Sequence, residues 1–112
     1  MQLEHHTQES IEFIHLPERL MMADAPAVKS QLQVMLNKQK PKLAFDLSQL
    51  EYIDSSGLAV LVSCLQNARR KSGDLCLYGM RDTVRVLFEL TRLYDVFPIV
   101  DERSEAVRNL SV

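Results

Sequence analysis

Glycine is scarce in this 112-residue chain: there are only three, each isolated. No phosphate-cradling glycine-rich loop is therefore written in the sequence. Cysteine is scarcer. Cys64 and Cys76 form no Cys-x-x-Cys motif and sit in apolar segments, so they read as small, reduced core residues rather than a disulfide or a metal pair. Three histidines, His5, His6 and His15, lack a matched set of carboxylates, and adjacent positions 5 and 6 would face opposite sides of a strand. No metal and no cofactor are expected. No apolar run is long enough to cross a bilayer, and "MQLEHHTQES" lacks the basic start and apolar stretch of a secretory signal. A cytoplasmic location without membrane insertion is expected. Positive charge is not in excess either: 13 Lys and Arg face 15 Asp and Glu, for a net charge of −2. The one dense basic cluster, Arg69-Arg70-Lys71, suits a helix C-terminus, so no direct nucleic-acid partner is expected.

What is present is an ordinary globular balance, with 46% hydrophobic and 25% charged residues, enough for a single domain over 1–112. Residues 2–6 read as a weak strand and "HTQES" as a turn. "SIEFIHL" reads as a second strand, with Ile11 and Phe13 on one face and Ile14 and Leu16 on the other. A helix is expected after Asp24, an N-cap candidate, with Pro26 in its first turn and a stripe of Val28, Leu32, Met35 and Leu36. Pro41 ends it, and "KLAFDL" follows as a strand. A second helix begins within "DSSGL" and places Leu58, Leu61, Val62, Leu65 and Ala68 on one face, widened by Val60 and Cys64. Gly73 is the expected left-handed residue past its end. "DLCLYGM" reads as a strand buried on both sides. Asp82 could cap a third helix with an inner face of Val84, Leu87, Phe88 and Thr91. "VFPIV" is a short last strand, and Ser104 could cap a final helix through Leu110. Strand–helix–strand units in series require right-handed parallel crossovers. The expected fold is a small α/β domain, a mixed sheet with parallel βαβ crossovers and an N-terminal antiparallel hairpin.

Asp54-Ser55-Ser56-Gly57-Leu58 falls where the strand "KLAFDL" hands over to the second helix, at the edge where α/β folds place binding surfaces. One cap needs one side-chain oxygen, yet three are available. Gly57 costs up to ~1 kcal/mol relative to alanine in a helix, so close approach of another backbone, a ligand or a partner should favour it. If Ser55 caps, the Ser56 hydroxyl is free. A phosphate there would carry ~1.5 to 2 negative charges. The helix end would stabilise it by up to ~2 kcal/mol, against comparable repulsion from Asp54. Modification would change the surface while the fold survives. The motif is not the G-x-S-x-G nucleophile elbow, and no histidine follows Ser56, so a serine hydrolase is not expected.

"FDLSQLEYIDSSGLAVLVSCLQNARRKSGDLCLYGM", followed by "LFELTRLYDVFPIVDERSEAV", resembles the STAS-domain anti-sigma-factor antagonists of bacteria, from about Ile11 to Leu110. The resemblance implies a STAS-like fold and a non-enzymatic partner switch. The unmodified protein would bind an anti-sigma factor that is often a serine kinase. Phosphorylation at Ser56, the second serine of the motif, would break that complex, and a serine phosphatase would restore it. In this reading Ser55 caps the helix, Asp54 shapes the local field and holds the loop, Gly57 lets the kinase approach and Leu58 anchors the helix to the sheet. Met21, Leu58, Met80 and Arg81 would lie on the docking surface. Many relatives carry G-R-L-D in the loop after the hairpin, where this chain has Glu18-Arg19-Leu20-Met21, so Met21 replaces an acid. Two alternatives share the fold: an accessory subunit of a membrane lipid-transport ATPase complex, and a nucleotide- or ligand-sensing module.

Overall fold

Short apolar runs and amphipathic runs produce seven strands and four helices in the computed structural model, which describes residues 2–111. The elements are β1 (Glu4–Gln8), β2 (Ile11–His15), β3 (Arg19–Leu20), α1 (Ala25–Leu36), β4 (Lys42–Asp46), β5 (Tyr52–Ile53), α2 (Ser55–Arg70), β6 (Asp74–Tyr78), α3 (Asp82–Leu90), β7 (Ile99–Val100) and α4 (Arg103–Leu110). A 3-10 turn covers Leu93–Asp95. The main sheet runs β1-β2-β4-β6-β7, antiparallel only at β1–β2. β1 lies later than expected because the hairpin turns tightly at Glu9-Ser10, both with positive φ, rather than across residues 6–10. β3 and β5 form a separate two-stranded parallel pair. Two residues are too few for a hydrophobic period to show, so this pair is invisible in the sequence.

The two faces of the sheet bury different helices. Ile14 and Leu16 share a large cluster with Val28, Leu32, Met35 and Leu36 of α1, with the apolar face of α2, and with Val84 and Phe88 of α3. On the reverse face Ile11, Phe13, Ala44, Cys76 and Tyr78 pack beneath Ala106 and Leu110 of α4. The alternation expected in "SIEFIHL" is thus realised, and β6 is buried from both sides. Cys64 and Cys76 are free and buried, and burial pushes their thiols up to about 12 and about 11.

Helix ends depart from expectation in a consistent way. Asp24 precedes α1, but its backbone is already in the helical region, and its carboxylate accepts from the Met21 N–H (3.0 Å) instead of capping. Asp82 is the first residue of α3, after Arg81, and has no capping bond. Ser104 lies inside α4. That helix begins after Glu102, whose N–H donates to Glu105 Oε1 (3.1 Å) in a capping box. Thr91 does not join the inner face of α3. It is exposed at the helix end and its hydroxyl donates to the Leu87 carbonyl (2.7 Å). Past α2, whose last turn holds Arg69 and Arg70, the left-handed residue is Ser72. Ser72 N–H donates to the Arg69 carbonyl and Gly73 N–H to the Ala68 carbonyl, the paired bonds of a Schellman ending. Gly73 is required for space: a Cβ there would lie 1.9 Å from the Pro41 carbonyl oxygen.

Candidate functional site at the start of helix α2

The chain leaves β5 extended, and Asp54 (φ −116°, ψ −172°) is the last residue before the helix. Its carboxylate therefore points back over the first turn. Oδ1 accepts from the Gly57 N–H (3.0 Å) and Oδ2 from the Met22 N–H (2.9 Å). The cap is thus Asp54 and not Ser55, which is the exposed first residue of the helix. The Gly57 N–H bond holds the Asp54 carboxyl below the ordinary aspartate range; slight desolvation opposes this and the Met22 N–H adds to it. One carboxylate joins the start of α2 to the loop that follows β3.

With Asp54 as the cap, Ser56 becomes the second helical residue. It is partly exposed and makes no side-chain hydrogen bond with any described residue. The residue is open to solvent at a helix N-terminus, where negative charge is favoured. Gly57 is buried, and the approach it permits is internal. A Cβ at this position would meet the Leu20 carbonyl oxygen at 2.2 Å and Ile53 Cγ1 at 2.7 Å. The neighbour that demands a glycine in this structure is the β3–β5 pair of the same chain.

The four expected docking residues divide between surface and core. Leu58 and Met80 are buried in the large apolar cluster. Met21 is half-buried and Arg81 is exposed. Arg81 braces the β4–β5 loop, donating from Nε to the Ser48 carbonyl and from Nη1 to Glu51 Oε1, both at 2.7 Å. Around Ser56 the exposed apolar surface belongs to Met22 and Tyr52, 72% and 54% exposed. Met22 flanks the site because its N–H is held by Asp54, and Tyr52 because β5 runs into Asp54. Tyr52 carried no signal in the sequence, since β5 itself is invisible there.

The histidines lie elsewhere. His5 Nδ1 meets Glu12 Oε1 at 2.8 Å, while His6, on the other side of β1, stacks over Phe13 (5.2 Å between ring centroids). No group of three or more potential ligands suited to a metal exists among the described residues, and none of their helices is long and apolar enough to cross a membrane.

Comparison with known proteins places this arrangement. The anti-sigma-B factor antagonist of Listeria monocytogenes is 37% identical over 81 residues, covering 72% of this chain and 71% of its own. An anti-sigma factor antagonist from Mycobacterium paratuberculosis superposes with a TM-score of 0.88 at 20% identity, over 99% of this chain and 94% of the other. The Bacillus cell fate determinant SpoIIAA in its phosphorylated form gives a TM-score of 0.71 at 15% identity, over 96% and 98% of the two chains. The STAS domain family matches residues 2–106. With a family match over nearly its whole length and a relative above 30% identity, the chain belongs to the STAS domain family.

Proposed function

We propose that this protein is an anti-sigma-factor antagonist whose binding to its partner is switched by phosphorylation of Ser56. The observation that carries the reading is the division of labour at the helix start. Asp54 takes the capping role, which leaves Ser56 partly exposed and its hydroxyl without a partner among the described residues. The naming of the Listeria relative supports the antagonist role, and a protein of the same fold exists in a phosphorylated form. In this function the unmodified face, with Met22 and Tyr52 beside Ser56, docks on an anti-sigma factor that is itself a serine kinase. Transfer of a phosphoryl group to the Ser56 oxygen places about two negative charges on that face, and a penalty of only ~1.4 kcal/mol lowers affinity tenfold. A serine phosphatase resets the cycle. No catalytic group is needed in this chain, which acts as a regulatory module in transcription.

The test is incubation of the full chain with ATP and lysate of its host, followed by intact mass and peptide mapping. One added phosphate on Ser56 is expected, absent from Ser56→Ala and retained in Ser55→Ala. Ser56→Asp should lose the anti-sigma partner that Ser56→Ala retains. Equal affinity of these two variants for that partner, or a phosphate found on Ser55, overturns the reading.

A further inference from the structure

At the opposite edge of the sheet from Ser56, by the amino ends of β2 and β4, lies a cavity of about 320 Å³. Its lining includes Thr7 and Ser10 of the hairpin, Glu12 of β2, Lys38 and Lys40 of the α1–β4 loop, and Lys42 of β4. Glu12 is almost fully buried and already engaged: Thr7 Oγ1 donates to it at 2.6 Å, His5 Nδ1 lies at 2.8 Å and Lys38 Nζ at 3.6 Å. The ammonium groups of Lys40 and Lys42 are different. Neither has an ion-pair or side-chain hydrogen-bond partner among the described residues. The lining thus holds three lysines and one carboxylate, a surplus of two positive charges in a concave site. Such a site focuses potential and draws in counter-ions of opposite charge.

The backbone holds these groups in place. Lys40 has a left-handed conformation (φ 52°), and its N–H donates to the Lys71 carbonyl (3.1 Å), which ties the loop to the end of α2. The hairpin side of the cavity is fixed by Glu9 and Ser10, both left-handed without glycine. The volume exceeds what a single phosphate needs and falls at the lower end of the range for small-molecule sites. Lysine binds phosphate as a point charge, and the Ser10 hydroxyl adds a donor beside it, the single O–H of Thr7 being engaged by Glu12.

We propose that this cavity binds a small phosphorylated molecule through Lys40 and Lys42, at a site separate from Ser56. The probe is inorganic pyrophosphate, titrated calorimetrically into the full chain with ionic strength held constant by sodium chloride. Saturable one-to-one binding is expected. The double variant Lys40→Gln/Lys42→Gln should weaken it by about tenfold or more, whereas Arg70→Gln, on the same basic pole but outside the cavity, should change it less than about twofold. Amide shifts in the wild-type protein, which need no variant, should concentrate on residues 7–12 and 38–43. Absence of saturable binding, equal losses in the two variants, or shifts centred on residues 69–72 would overturn the proposal. None of these readouts involves phosphorylation, so the outcome is independent of the proposed switch.

Discussion

Replacing Gly57 with alanine gives a result whose sign alone is decisive. In an ordinary helix the change should stabilise by up to ~1 kcal/mol. Here the new Cβ would lie 2.2 Å from the Leu20 carbonyl oxygen and 2.7 Å from Ile53 Cγ1. The oxygen is backbone, in a residue paired with Ile53 across β3–β5, so it cannot rotate aside. About an ångström of movement is needed to restore contact distance. Overpacking of this kind costs typically 1–3 kcal/mol, and an immovable backbone atom belongs at the top of that range. The net is a loss of about 2 kcal/mol, which corresponds to a melting temperature lower by about 8 °C for a domain of this size. Thermal denaturation followed by circular dichroism measures it. A melting temperature equal to or above that of the native protein would refute the account of Gly57, because the helix-propensity gain would then stand unopposed.

Other expected outcomes concern different parts of the molecule. Asp54→Ala should lower the melting temperature more than Ser55→Ala, since it releases both the Gly57 and the Met22 N–H; the reverse order would return the cap to Ser55. Glu12→Gln should destabilise by about 1–3 kcal/mol near neutral pH, because it disturbs a buried, fully bonded carboxylate. Burial raises the Glu12 pKa, but the bonds from Thr7 and His5 and the Lys38 charge outweigh it, so the folded value lies below the ordinary 4.5. The ionised form is favoured by folding. Its contribution is complete above the unfolded value and disappears as pH falls through the folded one, so the melting-temperature gap between wild type and Glu12→Gln should close on acidification below about pH 5. A gap constant with pH would contradict this. Cys64 and Cys76, buried with raised pKa values, should resist a disulfide reagent at mildly alkaline pH until the protein unfolds; rapid native reaction of either would show that its site opens.

The parts of this fold that were legible in the sequence are those with a repeating apolar period. The stripe Val28, Leu32, Met35 and Leu36, the two faces of β2 and the double-sided burial of β6 all follow from spacing. Features settled by tertiary geometry were not legible. Asp54 and Ser55 can both cap a helix, and only the extended exit from β5 decides that Asp54 does. Gly57 announced a close approach, but its neighbour, Leu20, is 37 positions away in a strand of two residues. Met80 stood beside Arg81 and read as part of a docking loop, yet it turns into the core; Leu58, read both as a helix anchor and as a docking residue, is buried as the anchor. Residues at a site edge alternate between partner and core over one or two positions, and sequence proximity alone cannot separate them.

The double bond made by Asp54 carries a consequence for diversification. Because the loop after β3 is clasped through the main-chain N–H of Met22, any residue except proline at that position can be held in the same place. The contact side chain is therefore free to vary while its mounting stays constant. Copies of this scaffold within one cell could each carry a different face at positions 21 and 22 and so keep parallel signals from crossing, without altering the serine or the acid beside it.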